Sequence, residues 1–312
     1  MQVDRSATSR GHRLASRVTA VFAVLSVSLT GFPASAATLE HIKETGHIKF
    51  GYFADARPFT QRNDSGAVEG YSAALCQLIA EQVKTQLALS DLTVEWVPVT
   101  PDSNLHQVQP GSIDVLCTPI SATLKRRQDV AFSIPVFPGG VRALLRADTA
   151  AQLREALAEN PNVRPVWRGS PAAKVLGKKT FAVVSGTTAE SWVTSRITTL
   201  QIDSKTVSVA DYRSALQQLR DGKVDGVFGD GAVMLSAMDE SSRQDFVLLD
   251  RLFTREPYAL AVPRGDDDFR LLVDRALGQV YGTNGFRTLY TKWFGEFNDN
   301  TRVFFLWNTP TP

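Results

Sequence analysis

The chain has 312 residues, 43% of them hydrophobic and 21% charged, with a formal net charge of +2. That is apolar material for about two domains with cores of their own, which excludes a disordered or fibrous chain. Four arginines and one aspartate lie before residue 37, so the rest of the chain carries −1, and no basic excess there supports nucleic-acid or anionic-membrane binding.

Arg5, Arg10, Arg13 and Arg17 precede an apolar stretch at 18–29, followed by Pro33, Ala34, Ser35, Ala36 and Ala37. This order predicts a secretory signal peptide over residues 1–36, cleaved after about Ala36. The apolar stretch is short for a membrane span, and no cysteine follows it to carry a lipid anchor, so a soluble mature protein is expected.

Residues 39–44 predict a short helix and 48–53 a strand of alternating apolar positions. A loop with Pro58, Phe59, Asn63, Asp64, Gly66 and Gly70 follows. Leu75, Leu78, Ile79, Val83 and Leu87 give residues 71–87 helical spacing, and 92–99 alternates as a second strand. A helix is expected over 101–109, ended by Pro110 and Gly111. A buried strand then runs to Cys117, where Pro119 is expected to break it.

Residues 114–137 have the composition of a small anion trap. Ser121 and Thr123 offer hydroxyls where the chain turns toward a short helix, and Arg126 sits one turn in. A carboxylate needs donors from several directions, and free turn amides, a hydroxyl and a guanidinium supply them together. Such chemistry binds without breaking bonds. A solvated helix start with Lys125, Arg126 and Arg127, capped by Thr123, accounts for the basic tripeptide taken alone.

After an apolar segment at 141–145, residues 148–176 are polar and alanine-rich, with Pro161, Pro165 and Pro171, which predicts a surface insertion carrying one helix at 150–158. The α/β pattern then restarts: strands at 181–184, 206–209, 224–228 and 246–249, helices at 189–197, 212–221 and from Gly231 to Met238. Gly186 permits close backbone approach, and Thr187 begins the following helix, so its amide and hydroxyl suit a carboxylate as well as a plain cap. Asp230 is an N-cap by position, but it stands at the carboxyl end of a strand, where α/β proteins bind ligands. A strand at 258–262 and amphipathic helices at 267–281 and 284–294 are assigned to the first lobe. The tail from Asn298, with Phe304, Phe305 and Trp307, is expected to pack on the surface.

Cys76 lies on an apolar helix face and Cys117 near a strand end. A disulfide between them and two separately buried thiols are both open, and neither has metal-ligand spacing with His12, His41, His47 or His106.

The opening LEHIKETGHIKFG at 39–51, Arg57-Pro58-Phe59, GAVEGYS at 66–72 with Leu75 and Cys76, the run at 121–133, SGTTAE at 185–190 and Trp293-Phe294 together resemble the periplasmic amino-acid-binding proteins of ABC importers, solute-binding protein family 3. The resemblance covers residues 39–297. Through DLTVEWVPVT at 91–100 and Cys117 it looks closest to the glutamate/aspartate-binding branch.

That resemblance implies an α/β, two-lobed periplasmic-binding-protein-like fold, with two crossover strands as the hinge and the ligand in the interlobe cleft. Residues 37–143 and 259–297 would form the first lobe, 144–258 the second with its polar insertion at 148–176, and 298–312 a tail. It implies a monomeric periplasmic protein, without cofactor or nucleic-acid partner, that captures a free L-amino acid for an ABC membrane permease. By position it puts the ligand carboxylate on Arg126, Ser121, Thr118, Thr187 and Thr188, and the ammonium on Asp230. The expected side-chain pocket is Phe53, Phe59, Asn104 and Tyr212. Phe53 and Asn104 stand where the glutamate/aspartate branch has arginines, and Tyr212 where it has a histidine. A buried side-chain carboxylate would lack its cations there, so a neutral or polar amino acid is expected.

Two other functions are carried alongside. One is a dehydratase of the same fold acting on prephenate-like compounds, for which Glu190 and Glu256 are the nearest acids; a first-turn helix charge and a hinge-region surface charge explain them equally. The other is a ligand-sensing partner of a receptor kinase. No Gly-x-Ser-x-Gly elbow, His-Glu-x-x-His motif or phosphate loop occurs.

Overall fold

The computed structural model describes residues 37–100, 105–158 and 167–311. The expected signal peptide and Asn104 lie outside the described residues. The chain forms α1 (Ala37–Thr45), β1 (His47–Tyr52) and a small antiparallel meander of β2 (Asp55–Ala56), β3 (Thr60–Arg62) and β4 (Val68–Glu69). Then come α2 (Tyr71–Gln86), β5 (Thr93–Pro98), β6 (Val115–Ser121), β7 (Ala131–Phe132) and β8 (Phe137–Gly139). Past Gly140 the chain continues as β9 (Val141–Arg146), α3 (Ala151–Ala158), α4 (Pro171–Leu176), β10 (Thr180–Val184) and α5 (Thr188–Leu200). β11 (Lys205–Val209), α6 (Tyr212–Arg220), β12 (Gly226–Asp230), α7 (Gly231–Ser236) and β13 (Phe246–Leu248) follow. β14 (Glu256–Val262), α8 (Asp267–Tyr281), α9 (Asn284–Phe294) and α10 (Asp299–Asn308) complete it.

Two sheets result. The first runs β5-β1-β6-β14-β7, with β8 also on β14, and the second runs β11-β10-β12-β9-β13. β1, β5 and β6 are mutually parallel in the first and β10, β11 and β12 in the second, while β14 and β9 enter antiparallel. Strands covered on both faces have no polar side to show. Accordingly all seven residues of β6 and all five of β12 are buried. Helices α2, α8 and α9 supply Leu75, Ile79, Phe269, Leu277 and Phe286 to the first core. The second sheet carries a cluster on each face, one around Val183 and Phe228 and one around Leu216 and Met234.

The two lobes are joined by crossings that lie side by side. Glu256 pairs with Gly139 and Tyr258 with Phe137 at the end of the first sheet. Immediately beyond, the Val141 amide donates to Thr254 Oγ1 at 2.9 Å and the Phe253 amide to the Val141 carbonyl at 2.8 Å.

Four expectations change. Pro119 does not end its strand but lies inside β6; β1 pairs with β6 only as far as Leu116, so the missing proline N–H breaks no ladder bond on that side. The helix expected over 101–109 is absent from its described part, where residues 105–109 form turns and bridges to Ile113. The expected polar insertion at 148–176 forms α3 and α4, whose Leu153, Ala156, Leu157, Ala172 and Leu176 are buried in the second lobe's core. Spacings of three and four residues give each helix an apolar face. The tail is helix α10, and it inserts Phe305, 2% exposed, among Tyr281, Phe286 and Tyr290, leaving Leu306 and Trp307 outside. Cys76 of α2 and Cys117 of β6 are joined in a disulfide, which resolves the alternatives left open by their positions.

Candidate functional site

A cavity of about 1070 Å³ lies between the lobes, lined from both sheets. Its walls meet at β14, whose first residues carry the chain back from the second lobe.

From the first lobe, the end of β6 brings Thr118 and Ser121 to the cleft, and the turn after it brings Arg126. Thr123 caps that turn by accepting from the Arg126 amide at 3.2 Å, and the guanidinium donates to the Ser121 carbonyl at 3.0 Å. The side chain is thereby folded back toward the strand end. Burial lowers the guanidinium pKa from its ordinary value, opposed by the negative field of Glu256 and by Tyr258.

From the second lobe, Gly186 takes φ 74° in the turn after β10, a conformation a side chain disfavours. Thr187 then caps α5, accepting from the Glu190 amide at 3.3 Å and donating its own proton to the Val184 carbonyl at 2.7 Å. Thr188, one residue on, turns its hydroxyl into the cleft.

The converging donors meet a protein group. Glu256, half-buried at the start of β14, accepts with Oε2 from the Ser121 hydroxyl of the first lobe and from the Thr188 hydroxyl of the second, the latter at 2.7 Å. The sequence offered a hinge-region surface charge for Glu256; the structure instead turns its carboxylate inward. Glu190 is the helix-start charge it resembled, accepting from the Gly186 amide at 2.9 Å and from Ser208 at the head of α5.

Asp230 ends β12 and is 8% exposed. It caps α7 by accepting from the Val233 amide at 2.8 Å and receives the Tyr258 hydroxyl from the first lobe's strand. Burial raises its carboxyl pKa above the ordinary value, against the lowering by those hydrogen bonds and by Arg142. Tyr212 packs against Gly229, where any β-carbon would sit 2.3 Å from its ring. Its oxygen accepts the Asp230 amide at 3.0 Å, and burial raises its pKa far above normal.

The remaining expected residues divide. Phe53 is half-buried at the cleft wall, its amide donating to Thr118 Oγ1 at 2.8 Å. Thr60 gives its proton to the Phe53 carbonyl, so the hydroxyl pair it makes with Thr118 uses the Thr118 proton. Thr118 is left with acceptor capacity only. Phe59 borders the cleft but is 2% exposed and packs edge-on against Phe137 and Tyr258 as core. Tyr258, unremarked in the sequence beyond its place in an alternating strand, touches Asp230 across the lobes. Among the described residues no group of acids, histidines and cysteines has the makings of a metal site.

Two α/β lobes, two adjacent crossings and a polar cleft fed by both lobes define a bilobed ligand-binding protein. A family model of bacterial extracellular solute-binding proteins, family 3, matches residues 48–296, and the chain belongs to that family. It is 27% identical over 261 residues to the L-glutamate/L-aspartate-binding protein of Pseudomonas aeruginosa, covering 83% of this chain and 80% of that one. It is 24% identical to the ABC transporter glutamine-binding protein of Bacillus subtilis, covering 83% and 85%. Among solved structures it resembles a mutant of ArgBP from T. maritima, at TM-score 0.65 and 25% identity, covering 83% of this chain and all of that one. An ancestral amino-acid-binding protein, described as a precursor of cyclohexadienyl dehydratase, shares the fold at TM-score 0.66 and 24% identity, covering 82% and 99%.

Proposed function

We propose that the protein is a soluble periplasmic receptor, exported by cleavage after about Ala36, that captures a free L-amino acid of neutral or polar side chain and delivers it to the membrane permease of an ABC importer. The observation that carries this reading is the meeting of the Ser121 hydroxyl of one lobe and the Thr188 hydroxyl of the other on one carboxylate position, with Arg126 lining the same cleft. Asp230, on the opposite strand end, supplies the counterpart for an ammonium. A zwitterion placed between them satisfies both charges, and because its contacts come from both lobes it stabilises the closed arrangement specifically. Phe53 and Tyr212 supply the side-chain wall, one apolar and one with a hydroxyl, which suits an uncharged group. The relatives' names support the ligand class, being amino-acid-binding proteins with differing amino acids.

Of the two acids that a dehydratase reading would use, Glu190 is engaged at the head of α5 and Glu256 accepts two hydroxyl protons with Oε2, an arrangement that favours binding over proton donation.

The test is a thermal-shift screen of residues 37–312 against all amino acids and small dicarboxylates, followed by calorimetry. Ligand at a hundred times its Kd stabilises the native state by about 2.7 kcal/mol, a rise of several degrees for a chain of this size. A shift with a few neutral or polar amino acids, lost in Arg126→Ala, is expected. An unchanged affinity in Arg126→Ala, or turnover of prephenate, would overturn the reading.

A further inference from the structure

Glu256 is hydrogen-bonded to two of the hydroxyls proposed above for the ligand's carboxylate. It is the first residue of β14, at the crossing, where its backbone is paired with Gly139. Its side chain is half-buried, and its Oε2 takes the Ser121 proton from the end of β6 and the Thr188 proton from the first residue of α5, both of which line the cleft. Its charge is the first of the influences that oppose burial at Arg126. Thus one protein carboxylate draws on donors from both lobes, as a bound amino acid would.

We infer that Glu256 is an internal occupant of the anion site, and that a ligand carboxylate binds by displacing it. This rests on the amino-acid-receptor reading above. The reason is proton counting. A serine or threonine hydroxyl has one proton, and those of Ser121 and Thr188 are both spent on Oε2. A second carboxylate brought to the same donors meets hydroxyls with nothing to give and a like charge at close range, which disfavours both. The alternative arrangements all remove Glu256 from the pair: its side chain swings toward solvent on its own bonds while Arg126, Ser121 and Thr188 turn to the ligand. The ligand-free site is therefore neither empty nor uncompensated, and every ligand pays the loss of two charge-assisted hydrogen bonds before it gains its own. The same contacts tie the lobes together without ligand, so a closed population precedes binding.

Two variants and two probes test this. Glu256→Ala vacates the position, and Glu256→Gln keeps the shape and an acceptor while removing the charge. In calorimetry with whichever amino acid the screen identifies, Glu256→Ala is expected to bind at least about tenfold more tightly than the wild type, with Glu256→Gln between them. Acetate, a bare carboxylate, is expected to raise the melting midpoint of Glu256→Ala at concentrations that leave the wild type unmoved. Equal or weaker amino-acid affinity in both variants would overturn the inference while leaving the receptor reading intact, since Glu256 would then be a direct ligand contact or a bystander. Acetate acting alike on wild type and Glu256→Ala would also overturn it. If no amino acid shifts the wild type but acetate selectively stabilises Glu256→Ala, the internal occupant stands and the amino-acid reading falls. Should Glu256→Ala fail to fold, the affinity of Glu256→Gln decides by the same criterion.

Discussion

At the scale of single residues, the cleft is governed by which protons and charges are already committed. Thr118 and Thr187 carry hydroxyls in the expected places, yet both give their protons to neighbours in their own lobe. Asp230 is the opposite case, a carboxylate held by the Val233 amide and by Tyr258 with burial working against its charge. Because its native pKa lies above the ordinary 3.8, the native state holds this proton to higher pH than the unfolded chain. Through the window between those two values stability therefore falls as pH rises. With Asp230 as the proposed ammonium contact, ligand binding is expected to have the reverse sense, since an ammonium favours the ionised form. Affinity is expected to drop on acidification at a higher pH than an exposed aspartate would produce, which calorimetry across pH 4 to 7 would reveal. Asp230→Asn keeps a good helix cap, so its melting midpoint should stay near the wild type. Its affinity should fall about 10- to 100-fold, the equivalent of one hydrogen bond to a charged group. Undiminished affinity in Asp230→Asn would remove the residue from the site.

At the scale of elements, the sequence periodicities located most helices and strands but not what covers them. The alternation of β1 and the helical spacing of α2 are local properties and appear where expected. Phe304, Phe305 and Trp307 are equally apolar to the eye, and only the packing of α10 shows that Phe305 is core while Trp307 is 83% exposed. That helix closes an aromatic cluster with rings of Tyr281 and Phe286 within 5 Å of the Phe305 ring. Phe305→Ala should therefore cost about 3–5 kcal/mol in urea denaturation, the usual loss for a buried aromatic, whereas Trp307→Ala should change stability by less than about 0.5 kcal/mol. Equal effects of the two substitutions would show that α10 is not docked as described.

At the scale of the whole molecule, the adjacent antiparallel crossings make a hinge of short reach. β8 and β14 pair up to Gly139 and Glu256, and the next residues, Gly140 and Val141, already lie against Thr254 and Phe253. A β-carbon on Gly140 would stand 2.2 Å from the Thr254 carbonyl, so the crossings depend on that glycine to lie as close as they do. Bending here moves one lobe as a body against the other. At the rim, Arg213 and Asp55 face each other at 3.5 Å but are both strongly exposed, and such a pair adds little. A saturating amino acid is expected to reduce the radius of gyration in small-angle scattering and narrow its spread. An unchanged scattering profile together with measured binding would show that the ligand leaves the arrangement of the lobes as it finds it.

From the sequence alone came the order of strands and helices, the restart of the α/β pattern after residue 176, the family resemblance, and the polar residues that cluster at strand ends, Arg126 and Asp230 among them. These are legible because burial on one face repeats at the period of a helix or a strand, and because ligand-facing polar groups sit where parallel strands end. The tertiary structure alone decided that Cys76 meets Cys117, that α3 and α4 belong to a core, that the Thr118 proton is spent, and that Glu256 bridges Ser121 and Thr188. The Glu256 carboxylate meets Ser121 across a sequence separation of 135 residues and Thr188 across 68. Periodicity records which side of a segment is covered; it carries no information about which distant side chain arrives to cover it.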